Sequence, residues 1–220
     1  MLVLVMRHLE SQKNVSKTFS SLNDHEKLTL DGEMTGKKIA NDIYEFVKAH
    51  DLKVKNVYCA NSNRAISTAK IIAELLSVDI RSFDELRSNK SGTLLGKSEQ
   101  EAASINPLFV HQLKLFRAGL FSSYNFVNVY QREDKHDFEK RVMNCVASII
   151  NDDTEELKII VLHHSSLTAT MINIARKIYS YPTDFYGHVA CELGNIFLWN
   201  SKEILLCNES TSLNIEPCKW

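Results

Sequence analysis

Two runs in this chain, Leu2-Val3-Leu4-Val5-Met6 and Lys158-Ile159-Ile160-Val161-Leu162, are almost wholly apolar instead of alternating. A strand apolar on both sides must be covered on both sides, which points to the interior of a parallel sheet flanked by helices. A third β-rich run, Lys55-Asn56-Val57-Tyr58-Cys59, lies between them, and segments of helical period separate all three. Residues 33–49 set Ile39, Ile43, Phe46 and Val47 on one helical face, and residues 64–77 do the same with Ala65, Ala69, Ile72 and Leu75. Residues 138–150 and 166–178 follow similar patterns, and 195–199 and 203–207 read as two short strands around an Asn-Ser-Lys turn. The expected fold class is α/β: a three-layer α/β/α sandwich with a mainly parallel central sheet.

At 220 residues and 44% hydrophobic, the chain is expected to form one domain, 1–220, with an insertion at about 98–134. That insertion is rich in aromatics (Phe109, Phe116, Phe121, Tyr124, Phe126, Tyr130) mixed with Lys114 and Arg117. It reads either as a lid shaping a substrate pocket or as helices packing their aromatics into a core. The last dozen residues, rich in Ser, Asn and Glu, read as a surface tail. A formal net charge of -1 supplies no global field for nucleic acid or an anionic membrane, so any anion must be recognised locally. The opening apolar run is too short for a secretory leader, and no later stretch is long enough to span a bilayer. Five scattered cysteines without C-x-x-C spacing argue against a disulfide framework or a zinc site, so the cytoplasm is the expected location. The edges and faces of such a sandwich leave an oligomer possible.

The chemistry-bearing residues gather where strands should end. Arg7-His8 closes the first apolar run and is followed by Glu10, Ser11 and Asn14. Side chains converge on ligands at strand ends in α/β proteins, so an imidazole beside a permanently charged guanidinium suits an anion, above all phosphate. The plain alternative is a histidine that merely ends a strand. Arg64, in Asn63-Arg64-Ala65-Ile66-Ser67-Thr68-Ala69, follows the second strand and opens a helix. There it is either a fork beside an anion-binding helix terminus or an ordinary solvated arginine. His163-His164-Ser165-Ser166 again joins a strand to a helix, holding phosphate oxygens or serving structure alone. Two arginines and two histidines at one end of a sheet are costly neighbours unless an anion offsets them. Together they make a phosphate pocket. The guanidiniums would lower a nearby imidazole pKa, leaving His8 neutral and nucleophilic near pH 7. A metal site built from the histidines is disfavoured, because no H-E-x-x-H or His-carboxylate cluster of ligand spacing is present.

In order, these segments resemble the histidine phosphatase superfamily, with its phosphoglycerate mutase-like fold. Residues 7–14 are similar to its R-H-G-E-S/T-x-x-N, and Leu28-Thr29-Leu30-Asp31-Gly32 to its L-T-x-x-G. Residues 64–69 fit R-A-x-x-T-A, and residues 163–169 resemble H-G-N-S-L-R-A. Gly92 and Gly96 are spaced as its G-x-x-x-G, and Glu133 and Arg141 as its G-E-S segment and the Arg after it. The resemblance implies a phosphatase without cofactor or metal, acting on a phosphorylated small molecule. His8 attacks phosphorus and water releases the phosphohistidine, with Arg7, Arg64 and His163 completing the catalytic set. It also implies Asn14, Ser11, Ser88 and His164 as substrate-binding residues.

Several positions depart from the pattern. Leu9 and His164 replace glycines, which predicts bulkier pocket walls, and Ala60 stands where a Ser precedes the second Arg by four residues. Ser88 falls where many members carry an acid/base Glu, and a serine cannot protonate a leaving alkoxide as a carboxyl can. The proton could come from Asp84, Glu85, Glu99, Glu101 or Glu133; alternatively the leaving group needs little help, as in an acyl phosphate. Two further readings are a phosphomutase of the same fold and a weakly active phosphate-binding regulatory protein.

Overall fold

The computed structural model describes residues 1–19, 26–117, 129–152, 156–181 and 191–209. Its sheet has six strands: β1 (Leu2–Arg7), β2 (Asn56–Ala60), β3 (Asp79–Phe83), β4 (Leu157–Leu162), β5 (Ile196–Trp199) and β6 (Ile204–Glu209), in the order β3-β2-β4-β1-β5-β6. The first four strands run parallel, β5 antiparallel to β1, and β6 antiparallel to β5. Every residue of β2 and β4 is buried, so both faces of the sheet are covered. The long helices pack in two pairs, α2 (Leu30–Ala49) against α3 (Asn63–Leu76) and α6 (Lys135–Ile150) against α7 (His164–Tyr179). Shorter helices are α1 (Gln12–Ser16), α4 (Glu99–Ile105) and α5 (Pro107–Arg117). Among the described residues no helix is long and apolar enough to cross a membrane.

The strands and long helices expected from the apolar pattern form within a few residues of their expected ends. Strand β3 was not expected. It is an edge strand with Asp79, Arg81 and Ser82 exposed, so it carries no buried apolar run to reveal it, and its charged flank discourages pairing with another chain.

Register brings the chemistry together. In the β1–β4 pair Arg7 lies opposite Leu162, and the His8 amide donates to the Leu162 carbonyl at 2.9 Å. The residues that follow the two strands, His8 and His163, therefore emerge side by side. On the other flank of β4, β2 leads through Ser62 into α3, whose first turn carries Arg64.

Two of the sequence motifs hold the loop after His8 in place. Thr68 lies one turn beyond Arg64, donates to the Arg64 carbonyl (2.8 Å) and accepts from the Leu9 amide (3.1 Å). Ala65 and Ala69 are fully buried, so α3 packs closely. Thr29 caps α2 by accepting from the Gly32 amide (3.0 Å), and its hydroxyl donates to Glu10 Oε1 (2.8 Å). Its own amide donates to the Glu10 carbonyl, against which a Cβ on Gly32 would collide.

Leu9 does not wall the pocket as its bulk predicted. Its side chain is buried in the main core, 1% exposed, against Gly36 and Gly194. A Cβ on Gly36 would collide with Leu9 Cδ1, so the volume added at position 9 is accommodated where α2 has no side chain.

Leu94 joins Ala102, Phe109, Val110 and Val129 of the insertion in a second apolar cluster with Phe19 packed against it. For Phe109, therefore, the core-packing alternative holds; Tyr130 is exposed. Phe121, Tyr124, Phe126 and the tail from 210 onward lie outside the described residues, as do the side chains of Phe116 and Arg117. Gly92, at φ +58°, faces the Tyr130 carbonyl and Arg132 amide so closely that a side chain would not fit, which secures the loop against residues 130–132.

Candidate functional site

Arg64 is the hub. Its Nε donates to His8 Nε2 at 3.2 Å, its Nη2 reaches His163 Nδ1 at 3.3 Å, and its Nη1 lies 3.5 Å from Glu26 Oε2. A guanidinium can only donate, so each imidazole presents a lone pair to it. His8 Nδ1 lies 2.8 Å from the Leu9 carbonyl, which can only accept. The tautomer of His8 follows: the proton sits on Nδ1 and the lone pair on Nε2. By the same logic His163 carries its proton on Nε2, where it donates to Ser62 Oγ at 3.1 Å. The two rings meet edge-on with centroids 5.1 Å apart at 69°.

His8, Arg64, His163 and Ser62 are all buried, at 3–4% exposure. Burial, then Arg64, then Arg7, push the His8 pKa well below its ordinary value; its bond to the Leu9 carbonyl opposes this weakly. Burial and Arg64 do the same to His163, with smaller contributions from His8, Lys13 and Arg87. Both imidazoles are therefore neutral at pH 7, under a positive field from Arg7, Arg64, Lys13 and Arg87. Two neutral rings and a dense cationic field suit a phosphoryl group: one ring can attack, and the cations balance the oxygens.

The structure brings His8, Arg64 and His163 into direct contact, with Arg7 close enough to act on His8. Arg7 Nη1 itself donates to the Cys191 carbonyl at 2.5 Å. Ser11 and Asn14 engage each other: Asn14 Oδ1 accepts from the Ser11 amide at 3.0 Å and from its hydroxyl at 2.7 Å, closing the first turn of α1. His164 opens α7 and is half-buried. The segment bearing Ser88 lies against the start of α7, because the Asn89 amide donates to Ser165 Oγ at 3.3 Å. Arg141 clamps that segment, donating to the carbonyls of Glu85 (2.6 Å), Arg87 (3.0 Å) and Ser88 (3.2 Å). The same guanidinium forms a two-pronged pair with Glu133 at 2.5 and 2.7 Å.

That pairing bears on the missing acid. Glu133 is committed to Arg141 and to the Lys90 amide (3.2 Å). Asp84, 71% exposed, pairs with Arg87 and accepts from Asn61. Glu101 closes a capping box with Ser98, whose amide and hydroxyl lower its pKa. Glu99 occupies the first turn of the same helix.

Sequence reasoning missed Ser62, Lys13, Arg87 and Glu26. Ser62 stands two residues before Arg64 instead of four, so motif matching passed over it, although a serine at the head of a helix was visible. Lys13 lies inside the first motif at a variable position, and Arg87 adjoins the position noted for its lost Glu. Nothing local singles out Glu26.

The family model described as histidine phosphatase superfamily (branch 1) matches residues 3–192. Among curated protein sequences nothing matches. Solved structures are similar over nearly the whole length. The Bacillus stearothermophilus protein YhfR has a TM-score of 0.70 at 20% identity, covering 98% of this chain and 99% of that one. The α-ribazole phosphatase of Shigella flexneri has 0.72 at 17%, covering 96% and 98%. A mycobacterial glucosyl-3-phosphoglycerate phosphatase, solved with VO3, has 0.74 at 15%, covering 96% and 99%.

Proposed function

Given that the chain belongs to the histidine phosphatase superfamily, we propose that it is a metal-independent phosphatase that hydrolyses a phosphomonoester through a phosphohistidine on His8. The observation that carries this reading is the tautomer of His8. The bond from Nδ1–H to the Leu9 carbonyl leaves the lone pair on Nε2, held by Arg64 at the cationic centre of the site.

A phosphoryl group whose oxygens take the donors of Arg64 and Arg7 releases that lone pair for attack. Nε2 then bonds to phosphorus, the ester P–O bond breaks, and its electron pair leaves with the alcohol oxygen, which takes up a proton. In the second step water attacks the phosphohistidine, the N–P bond returns its electrons to Nε2, and orthophosphate departs. Arg64 holds the equatorial oxygens in both steps, with His163 Nδ1–H as a further donor once that ring takes a proton. Metal independence is supported by the donor set, since both imidazole lone pairs face a guanidinium. Two of the similar proteins are an α-ribazole phosphatase and a glucosyl-3-phosphoglycerate phosphatase, so a phosphorylated small molecule is the proposed substrate class here. Residues 1–220 are proposed to act as one unit, with the insertion at 98–134 shaping the entrance.

Phosphate release from a panel of phosphomonoesters and acyl phosphates, measured in chelator for the wild type and His8→Ala, tests this reading. The expected result is chelator-resistant turnover that disappears in the variant. Turnover that survives His8→Ala would contradict it.

A further inference from the structure

Resting on the phosphatase reading above, we propose that Glu26 is the general acid for this site, supplying the proton that Ser88 cannot. Three observations carry the proposal. First, Glu26 is in ionic contact with the guanidinium that joins the two imidazoles, 3.5 Å from Arg64 Nη1. Second, Arg64 separates it from the nucleophile: His8 faces Nε and Glu26 faces Nη1, different corners of one planar group. Third, the groups lie at different depths. His8 is 4% exposed and the Arg64 side chain 3%, whereas the Glu26 side chain is 25% exposed. Glu26 thus lies nearer the surface than the nucleophile, with its Oε2 buried against Arg64, and we place the departing oxygen on the Glu26 side of the guanidinium.

Three of the five carboxylates suggested by sequence position are otherwise engaged. Glu133 is bound by Arg141, Asp84 by Asn61 and Arg87, and Glu101 by Ser98. In the structure Glu26 is an ion-pair partner of Arg64. When a phosphoryl dianion shares that guanidinium, the carboxylate faces a like charge and takes up a proton. The Glu26 carboxyl then gives this proton to the departing alkoxide as the P–O bond breaks. In the second step the resulting carboxylate accepts a proton from the attacking water, whose remaining O–H stays on phosphorus as orthophosphate. The cycle ends with Glu26 protonated, as it was beside bound ester, and release of the phosphate restores the ion pair with Arg64.

The test compares wild type, Glu26→Gln and Glu26→Asp on p-nitrophenyl phosphate, whose leaving group needs little protonation, and on an alkyl phosphate, whose leaving group needs a full proton. Binding of inorganic phosphate, measured by calorimetry, reports whether each variant keeps its pocket. Glu26→Gln is expected to bind phosphate and to lose roughly 10²- to 10⁴-fold on the alkyl ester, with a much smaller loss on the aryl ester. Glu26→Asp should recover part of the alkyl activity. Equal losses on both esters, with or without loss of phosphate binding, would make Glu26 a structural partner of Arg64 and overturn the assignment, as would undiminished alkyl activity. Failure of the wild type to release phosphate from either ester would instead overturn the phosphatase reading itself and the acid role with it.

Discussion

Arg64 is 3% exposed, and a buried guanidinium is tolerated only where acceptors meet its donors. Here two of those acceptors are imidazole lone pairs, which ties the protonation of His8 and His163 to the arginine. The stability of the protein should therefore depend on pH in a definite direction. In the unfolded chain each histidine titrates near about 6.5, while in the folded protein both pKa values are depressed. Above that pH both states are neutral there and the effect is absent. As pH falls below it, the unfolded chain binds protons that the folded one refuses, so stability declines until the folded pKa values are reached. Between pH 7.5 and 5 the Tm should fall, and His8→Asn should fall less steeply because one depressed imidazole is gone. Identical slopes for the two proteins would contradict the assigned burial and contacts of His8. Ser62 fixes the other ring by accepting from His163 Nε2–H. Ser62→Ala should lower kcat/KM by roughly fivefold, the worth of about one kcal/mol of hydrogen bond, and should leave the fold intact by circular dichroism. A change confined to stability, with kcat/KM unaltered, would remove Ser62 from the account.

At the scale of elements, the motif residues outside the chemistry act as ties between segments. Thr68 links α3 to the Leu9 amide, and Thr29 with Gly32 links α2 to Glu10. The contact of Leu9 with Gly36 makes two such segments interdependent. Gly36→Ala should destabilise the protein by about 1–3 kcal/mol through overpacking, and adding Leu9→Ala should relieve part of that loss. Denaturant titration of both singles and the double variant measures the coupling, and strict additivity would mean the two residues do not meet. Arg141, on α6, directly holds the 85–88 segment, which lies against the start of α7. Truncation in Arg141→Ala strands the Glu133 carboxylate and frees the carbonyls of Glu85, Arg87 and Ser88. A stability loss on the order of 3 kcal/mol is expected, together with weaker phosphate binding as Arg87 shifts. Unchanged thermal stability would show that the clamp is dispensable.

For the molecule as a whole, the two-sided apolar runs of β1 and β4 fix which strands lie inside, and parallel pairing then forces His8 and His163 to the same edge. That much was legible in the sequence, because burial on both faces leaves an unbroken apolar signal. Edge strand β3 left no such signal. The consequence of Leu9 was also hidden, since its acceptance depends on Gly36, 27 positions away in a helix whose packing partner the sequence does not reveal. Glu26 belongs to the same class: it joins the site through Arg64, 38 positions later, and no local spacing reports such a contact. Motif spacing thus picked out the residues that meet at Arg64, while the contacts around them depended on the fold. The most direct test of the central claim is rapid acid-free quenching of the protein with a turning-over phosphomonoester in chelator, followed by peptide mapping of bound phosphate. The account predicts a base-stable, acid-labile phosphate on His8 that chases to orthophosphate during turnover. Turnover without phosphate on His8, or with the phosphate on any other residue, would contradict it.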